Sequence, residues 1–263
     1  MKICFSQHAE DLVLARALGL KPAGFYVDVG AAHHTELSVT RLFYERGWHG
    51  INIEPLPHMF AALQKARPRD VNLQLAISDH PGVVPFYRVA ATDCDEETIG
   101  TGLSTFDTGF AADYRARGFC VEEIKMQVVT LNDVLRPYQD RTIDFLKLDI
   151  EGHEPQALAG LDLTRYRPRI LLIEAVKPLT SIDAFSDWEP AVLRSGYQFA
   201  MSDGVNRYYV RDEDAELAEK LHPLDPTQYL RLRDYKSMLC VKRWTKPWEI
   251  RLKKLFSGRK EAA

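Results

Sequence analysis

The densest group of chemically active side chains is Lys147-Leu148-Asp149-Ile150-Glu151-Gly152-His153-Glu154, closing the apolar run 143–150 (IDFLKLDI). Side chains alternate along an extended strand, so Lys147, Asp149 and Glu151 are expected on one face. Charges gathered at the end of a buried strand are costly unless they are solvated, paired or used. Three of these residues qualify as a general base, namely His153, Asp149 and Glu151. Glu174, in the next apolar run 170–176 (ILLIEAV), is a fourth. His153 has the ordinary pKa best suited to proton transfer near neutrality. A carboxylate reaches that range only when its surroundings tune it. The choice among them stays open, as does catalysis by positioning alone. Glu154 reads instead as an acid favoured in the first turn of a following helix. Asp149, Glu151 and Glu174 could also give oxygen ligands to Mg²⁺, which would acidify a bound hydroxyl. The spacing does not demand a metal and the metal-free reading is preferred. The eight histidines are scattered and give no zinc pattern.

A second group lies near the N-terminus. Asp28-Val29-Gly30-Ala31-Ala32 follows the run 25–30 (FYVDVG), where a glycine lets backbone pass close to a ligand. The helix expected next would present unpaired N–H groups to a negative group. Glu54 ends a second run, 51–54 (INIE), 24 residues after Gly30. An acid so placed can accept hydrogen bonds from both hydroxyls of a ribose. Ser78 and Asp79, ending a third run, would stand near an adenine edge. Each feature alone has a plain reading, a tight turn or a solvated loop acid, but together they favour an adenosyl-cofactor pocket. Gly-Ala-Ala is not the G-x-G-x-x-G of a dinucleotide site, which argues against NAD.

Positioning these groups takes a parallel sheet covered by helices. Runs 25–30, 51–54 and 71–78 alternate with helical periodicity through Val39, Leu42 and Phe43 and through Phe60 and Leu63. Segment 82–129 interrupts that rhythm and reads as an insertion with its own hairpin, lying over the ligand-binding edge. Thr130 and Asp133 have the spacing of a capping box. Strands four and five then enclose a helix over 155–161. Two further strands flank Asp203-Gly204, a strong hairpin signal.

The 263 residues are 46% hydrophobic and 27% charged, ordinary for a globular chain and incompatible with disorder or a coiled coil. A net charge of −3 argues against a nucleic-acid partner. Cys4, Cys94, Cys120 and Cys240 lie far apart without a CxxC pair, which suggests reduced thiols. No signal peptide or membrane-length apolar run is visible, so a cytoplasmic location is expected.

The wording of several segments is more specific. SQHAED at 6–11, VDVGAAHHTELSVTRLFYERGWHGINIEPLP at 27–57, then ISD, GLSTF, TLNDVL, IDFLKLDIEGHE and DGVNRYYV together resemble the FkbM family of S-adenosylmethionine-dependent methyltransferases. The resemblance spans about four-fifths of the chain, to Val210. It implies the α/β class I methyltransferase (Rossmann-like) fold, a doubly wound sheet with a C-terminal antiparallel hairpin. It further implies that Asp28, Gly30, Ala31 and Glu54 hold S-adenosylmethionine, with Gln7 and Ser38 as further contacts. Family members typically methylate sugar hydroxyls of glycolipids, polysaccharides or natural products. The expected organisation is a methyltransferase domain over 1–212 and a helical extension over 213–263.

A carbohydrate acceptor is expected to meet Ser104 and Thr105 in the insertion, Lys147, and Asn206 and Arg207 at the hairpin. From Lys242 to Lys260 the tail carries eight lysines and arginines against Glu249. Trp248, Leu252, Leu255 and Phe256 would share one helical face. Such a helix can lie on an anionic membrane, which would suit a lipid-linked acceptor. The favoured alternative is packing on the domain or on a second subunit as a homodimer. Two other functions stand beside the sugar O-methyltransferase: methylation of a protein or non-sugar small molecule, and a catalytically silent cofactor-binding module.

Overall fold

The computed structural model describes residues 2–90, 102–232 and 234. In chain order its strands are β1 (Lys2–Cys4), β2 (Phe25–Val29), β3 (His49–Ile53), β4 (Val71–Leu73), β5 (Ala76–Ile77), β6 (Gly82–Ala90), β7 (Cys120–Val129), β8 (Phe145–Leu148), β9 (Ile170–Glu174), β10 (Tyr197–Ser202), β11 (Asn206–Arg211) and β12 (Tyr229–Arg231). The α-helices are α1 (Glu10–Leu18), α2 (Arg41–Glu45), α3 (Pro57–Ala66), α4 (Thr108–Ala116), α5 (Leu131–Leu135), α6 (Glu154–Ala159) and α7 (Glu189–Arg194).

Seven strands form the main sheet in the order β10-β11-β9-β8-β2-β3-β4. The pairs from β9 to β4 are parallel, and β11 runs antiparallel to both β9 and β10. All five residues of β2 are buried, as a central parallel strand covered on both faces requires. Alternate residues feed two cores. Val27, Val29, Ile53, Leu146 and Leu148 pack with Leu131 of α5, Ala157 of α6 and Val192 of α7. Tyr26, Phe145 and Leu172 pack oppositely with Leu14 of α1, Phe43 of α2 and Trp48. Asp28, Lys147 and Glu174 continue this second face towards the strands' carboxyl ends, so the pleat alone gathers them on one side.

The capping box forms as the sequence suggests: Thr130 Oγ1 accepts from the Asp133 N–H at 3.1 Å. Other expectations are corrected. Run 71–78 is not one strand: β4 stays in the main sheet, while β5 leaves it to pair with β7. In the insertion β6 and β7 do pair antiparallel as expected, and what the sequence reading lacked is α4 in the connection between them. The first and last described strands, β1 and β12, pair in parallel as a separate ribbon that the sequence reading missed. Cys120 is disulfide-bonded rather than reduced, whereas buried Cys4 is free. The amphipathic tail at 242–260 lies outside the described residues. Among the described residues, no helix is long and apolar enough to cross a membrane.

Candidate active site

Chain order reverses between β2 and β8, and in open α/β sheets ligands bind at the strand carboxyl ends beside such a reversal. A cavity of about 790 Å³ opens there. That lies within the range of roughly 300–1,000 Å³ usual for small-molecule sites. Its floor is the turn after β2. Gly30 has φ +77°, and a Cβ there would lie 1.9 Å from the Asp149 carbonyl oxygen. The glycine is therefore demanded by close approach of the β8 backbone, not only by a ligand.

The expected anion cradle is absent from this turn. The N–H groups of Gly30 and Ala31 donate to the Ile53 carbonyl at 3.0 and 3.1 Å, and that of Ala32 donates to Glu54 Oε2 at 2.8 Å. The next helix, α2, begins only at Arg41. Arg67 braces the intervening loop from beneath. Fully buried, it donates to the His34 carbonyl at 2.9 Å and Ser38 Oγ at 3.0 Å, and lies 3.7 Å from Asp70.

Glu54 is buried on the cavity wall, its second carboxylate oxygen accepting from the Leu56 N–H at 2.8 Å. Burial pushes its pKa up to about 7, against the pull of those two backbone donors. Asp28 accepts from Thr40 Oγ1 at 2.8 Å, while its buried Oδ1 makes no hydrogen bond and has Lys147 Nζ 3.5 Å away. Parallel pairing sets Asp28 beside Lys147 in register. Lys147 also reaches Asp149 at 3.3 Å and donates to the Gly30 carbonyl at 2.7 Å. Burial opposes its charge, but Asp149 and Asp28 outweigh that and hold its pKa above the ordinary value. Its ammonium is thus committed to the protein, which leaves little for the acceptor contact expected of it.

Asp149, Glu151 and Glu174 do come together, though not through strand alternation along β8. β8 ends at Leu148, and Glu151 turns back with φ +56°. Thr105 Oγ1 fixes this turn by donating to the Glu151 carbonyl at 2.8 Å. Carboxylate oxygens of Asp149, Glu151 and Glu174 then lie within 4.8 Å of one another. Burial, followed by the charge of Asp149, raises the pKa of both Glu151 and Glu174 well above the ordinary range.

His153 is not part of the cavity wall. It packs 4.5 Å from the Phe106 ring, with Nε2 3.2 Å from Ser78 Oγ, and burial lowers its pKa to about 4. Ser78, Asp79, Thr105 and Arg207 also lie off the wall. Arg207 instead bonds Glu189 at 2.6 Å and stacks on Phe185 and Phe199. Gln7, Asp28, Gly30, Ala31, Ser38, Glu54, Ser104, Lys147, Asp149, Glu151, Glu174 and Asn206 do line the cavity.

Sequence reading missed Phe5, His8, Glu10, Leu37 and Arg231, which also line it. Glu10 is buried, accepts from the His8 N–H at 2.6 Å, and has the Asn206 amide 3.3 Å away. A buried acid opening a helix was the available signal. Among the described residues, seven carboxylates line the cavity (Glu10, Asp28, Glu36, Glu54, Asp149, Glu151 and Glu174), against Lys147 and Arg231. Acidic oxygens thus outnumber cations on the described wall, which suits a ligand that is cationic or donates hydrogen bonds.

Fold and site define an α/β protein with a cavity of small-molecule size at the carboxyl edge of its sheet. The Methyltransferase FkbM domain model matches residues 28–199. The chain belongs to the FkbM methyltransferase family. A crystal structure of a methyltransferase FkbM from Methylobacillus flagellatus KT is similar at 18% identity and TM-score 0.46, covering 72% of this chain and 44% of that one. No curated protein matches the chain.

Proposed function

We propose that the protein is an S-adenosylmethionine-dependent O-methyltransferase acting on a sugar hydroxyl of a glycan, glycolipid or glycosylated metabolite. The observation that carries this is the acid-lined cavity, with seven carboxylates where the sheet changes direction. S-adenosylmethionine is a cation at sulfur that supplies an electrophilic methyl group, and such a wall suits it better than it suits a dinucleotide. The sheet order supports the reading, since seven strands with one antiparallel member are what a class I methyltransferase requires. The residues also fit the cofactor. Glu54 keeps lone pairs for a ribose diol beyond its two backbone donors, and Asp28 Oδ1 is buried without a hydrogen bond.

Within this reading, Glu10 and Asn206 hold the far wall and Ser104 offers its hydroxyl from the insertion. Asp149, Glu151 and Glu174 face the acceptor. Orienting a hydroxyl in line with a methyl donor is worth about 7–11 kcal/mol. An ionised carboxylate beside the hydroxyl can take its proton, typically adding about 10²–10⁴-fold. We assign the proton acceptor to the carboxylates; the position of His153 off the cavity wall supports that choice.

The test uses methyl-labelled S-adenosylmethionine with polysaccharide, glycolipid, protein and small-molecule fractions from cells lacking the protein. Label in the sugar fractions, lost with Glu174→Gln, is the expected result. Label confined to protein or non-sugar metabolites selects the other acceptor class. No label in any fraction selects the silent binding module.

A further inference from the structure

We propose that Asp149, Glu151 and Glu174 bind a divalent cation of the Mg²⁺ or Mn²⁺ kind, open on its cavity side to acceptor hydroxyl oxygens. The three carboxylates come from the β8 turn and the end of β9, with ligand oxygens within 4.8 Å of one another. Oxygens on a shell of radius about 2.1 Å stand roughly 3–4 Å apart, a small side-chain adjustment away. Glu151 Oε2 and Glu174 Oε2 are shut off from solvent and make no hydrogen bond. The nearby cation cannot satisfy all three, because Lys147 is shared among Asp28, Asp149 and the Gly30 carbonyl.

An independent observation comes from the insertion. Tyr114 of α4 is 1% exposed and its hydroxyl has no hydrogen-bond partner. Glu151 and Glu174 are the carboxylates whose charge it feels most. A hydroxyl sealed from water needs a partner, and an oxygen carried by a bound cation would supply one. A sulfonium is a poor substitute here. It is a soft, singly charged centre, whereas three carboxylate oxygens match a hard cation. The cation's role towards the acceptor rests on the methyl-transfer reading; its binding does not.

Mn²⁺ titrated into the full chain, with free Mn²⁺ followed by electron paramagnetic resonance, tests the site. S-adenosylhomocysteine binding is measured on the same preparations. The expected result is one saturable Mn²⁺ per chain, displaced by excess Mg²⁺. Affinity should fall by more than the roughly 10–100-fold that loss of an outer partner costs, in both Glu151→Gln and Glu174→Gln. Tb³⁺ keeps the test informative if those variants fold poorly: tyrosine-sensitised Tb³⁺ emission should fall in Tyr114→Phe. Absence of Mn²⁺ binding, equal affinity in wild type and both variants, or Tb³⁺ emission unchanged in Tyr114→Phe would overturn the proposal. S-adenosylhomocysteine binding without Mn²⁺ would remove only the cation site. Mn²⁺ binding without S-adenosylhomocysteine would remove only the methyl-transfer reading.

Discussion

Single side chains divide between those that meet the ligand and those that hold the site in shape. Glu54 meets it. With its pKa near 7, the carboxyl gains a proton below that pH and can no longer accept from two ribose hydroxyls. S-adenosylhomocysteine affinity should therefore fall as pH drops from about 8 to 6, and calorimetry should find that dependence flattened in Glu54→Gln. Lys147 belongs to the second kind. Lys147→Met leaves Asp28 and Asp149 without their cation and should cost about 3–5 kcal/mol in urea unfolding. On this account His153 is structural too, since it stands off the cavity wall. Its folded pKa of about 4 lies below the ordinary 6.5, so its contribution is intact above 6.5 and is lost as pH falls through 4. The loss approaches about 3 kcal/mol. His153→Ala should show less acid destabilisation and keep methyl transfer at neutral pH. The acids and Gly30 could be read from the sequence because residue type and strand-end position reveal them. Burial decides what His153, Lys147 and Arg207 do, and no local pattern shows whether a charge points inward or is already paired.

Elements carry the site through backbone contacts between β2, β3 and β8. Gly30→Ala would push a methyl group into the Asp149 carbonyl. Overpacking of about 1–3 kcal/mol would add to about 1–2 kcal/mol for a left-handed non-glycine residue. The expected result is a melting temperature lowered by several degrees together with weakened S-adenosylhomocysteine binding. A fully stable variant would place the need for glycine elsewhere. The central strands were legible because buried parallel strands read as mainly apolar runs, as in FYVDV and FLKL, each with a single charged residue. The departure of β5 from the main sheet was not. Val71 to Ser78 contains neither glycine nor proline, and the partner that captures β5 is β7, some fifty residues later. The pairing of β1 with β12 was hidden for the same reason, being set by tertiary contact between distant segments.

Across the whole molecule, the cavity draws its wall from nearly the full described length, from Phe5 to Leu232. Gln7 and His8, just after β1, and Arg231 of β12 line the cavity, so a ligand there is expected to couple to the folding of both segments. A ligand that binds only the folded state stabilises it by about 2.7 kcal/mol at a hundred times its dissociation constant. Hydrogen exchange should accordingly slow at residues 2–12 and 226–232 when the cavity fills; unchanged exchange there would detach the ribbon from the site. The most direct measurement is calorimetric titration of S-adenosylhomocysteine into the wild-type chain and into Glu54→Gln at pH 8. The account predicts one site per chain in the wild type and an affinity at least about tenfold weaker in the variant, the loss of roughly 1.4 kcal/mol expected from charged hydrogen bonds. No binding to the wild type, or equal affinity in the two proteins, would contradict it.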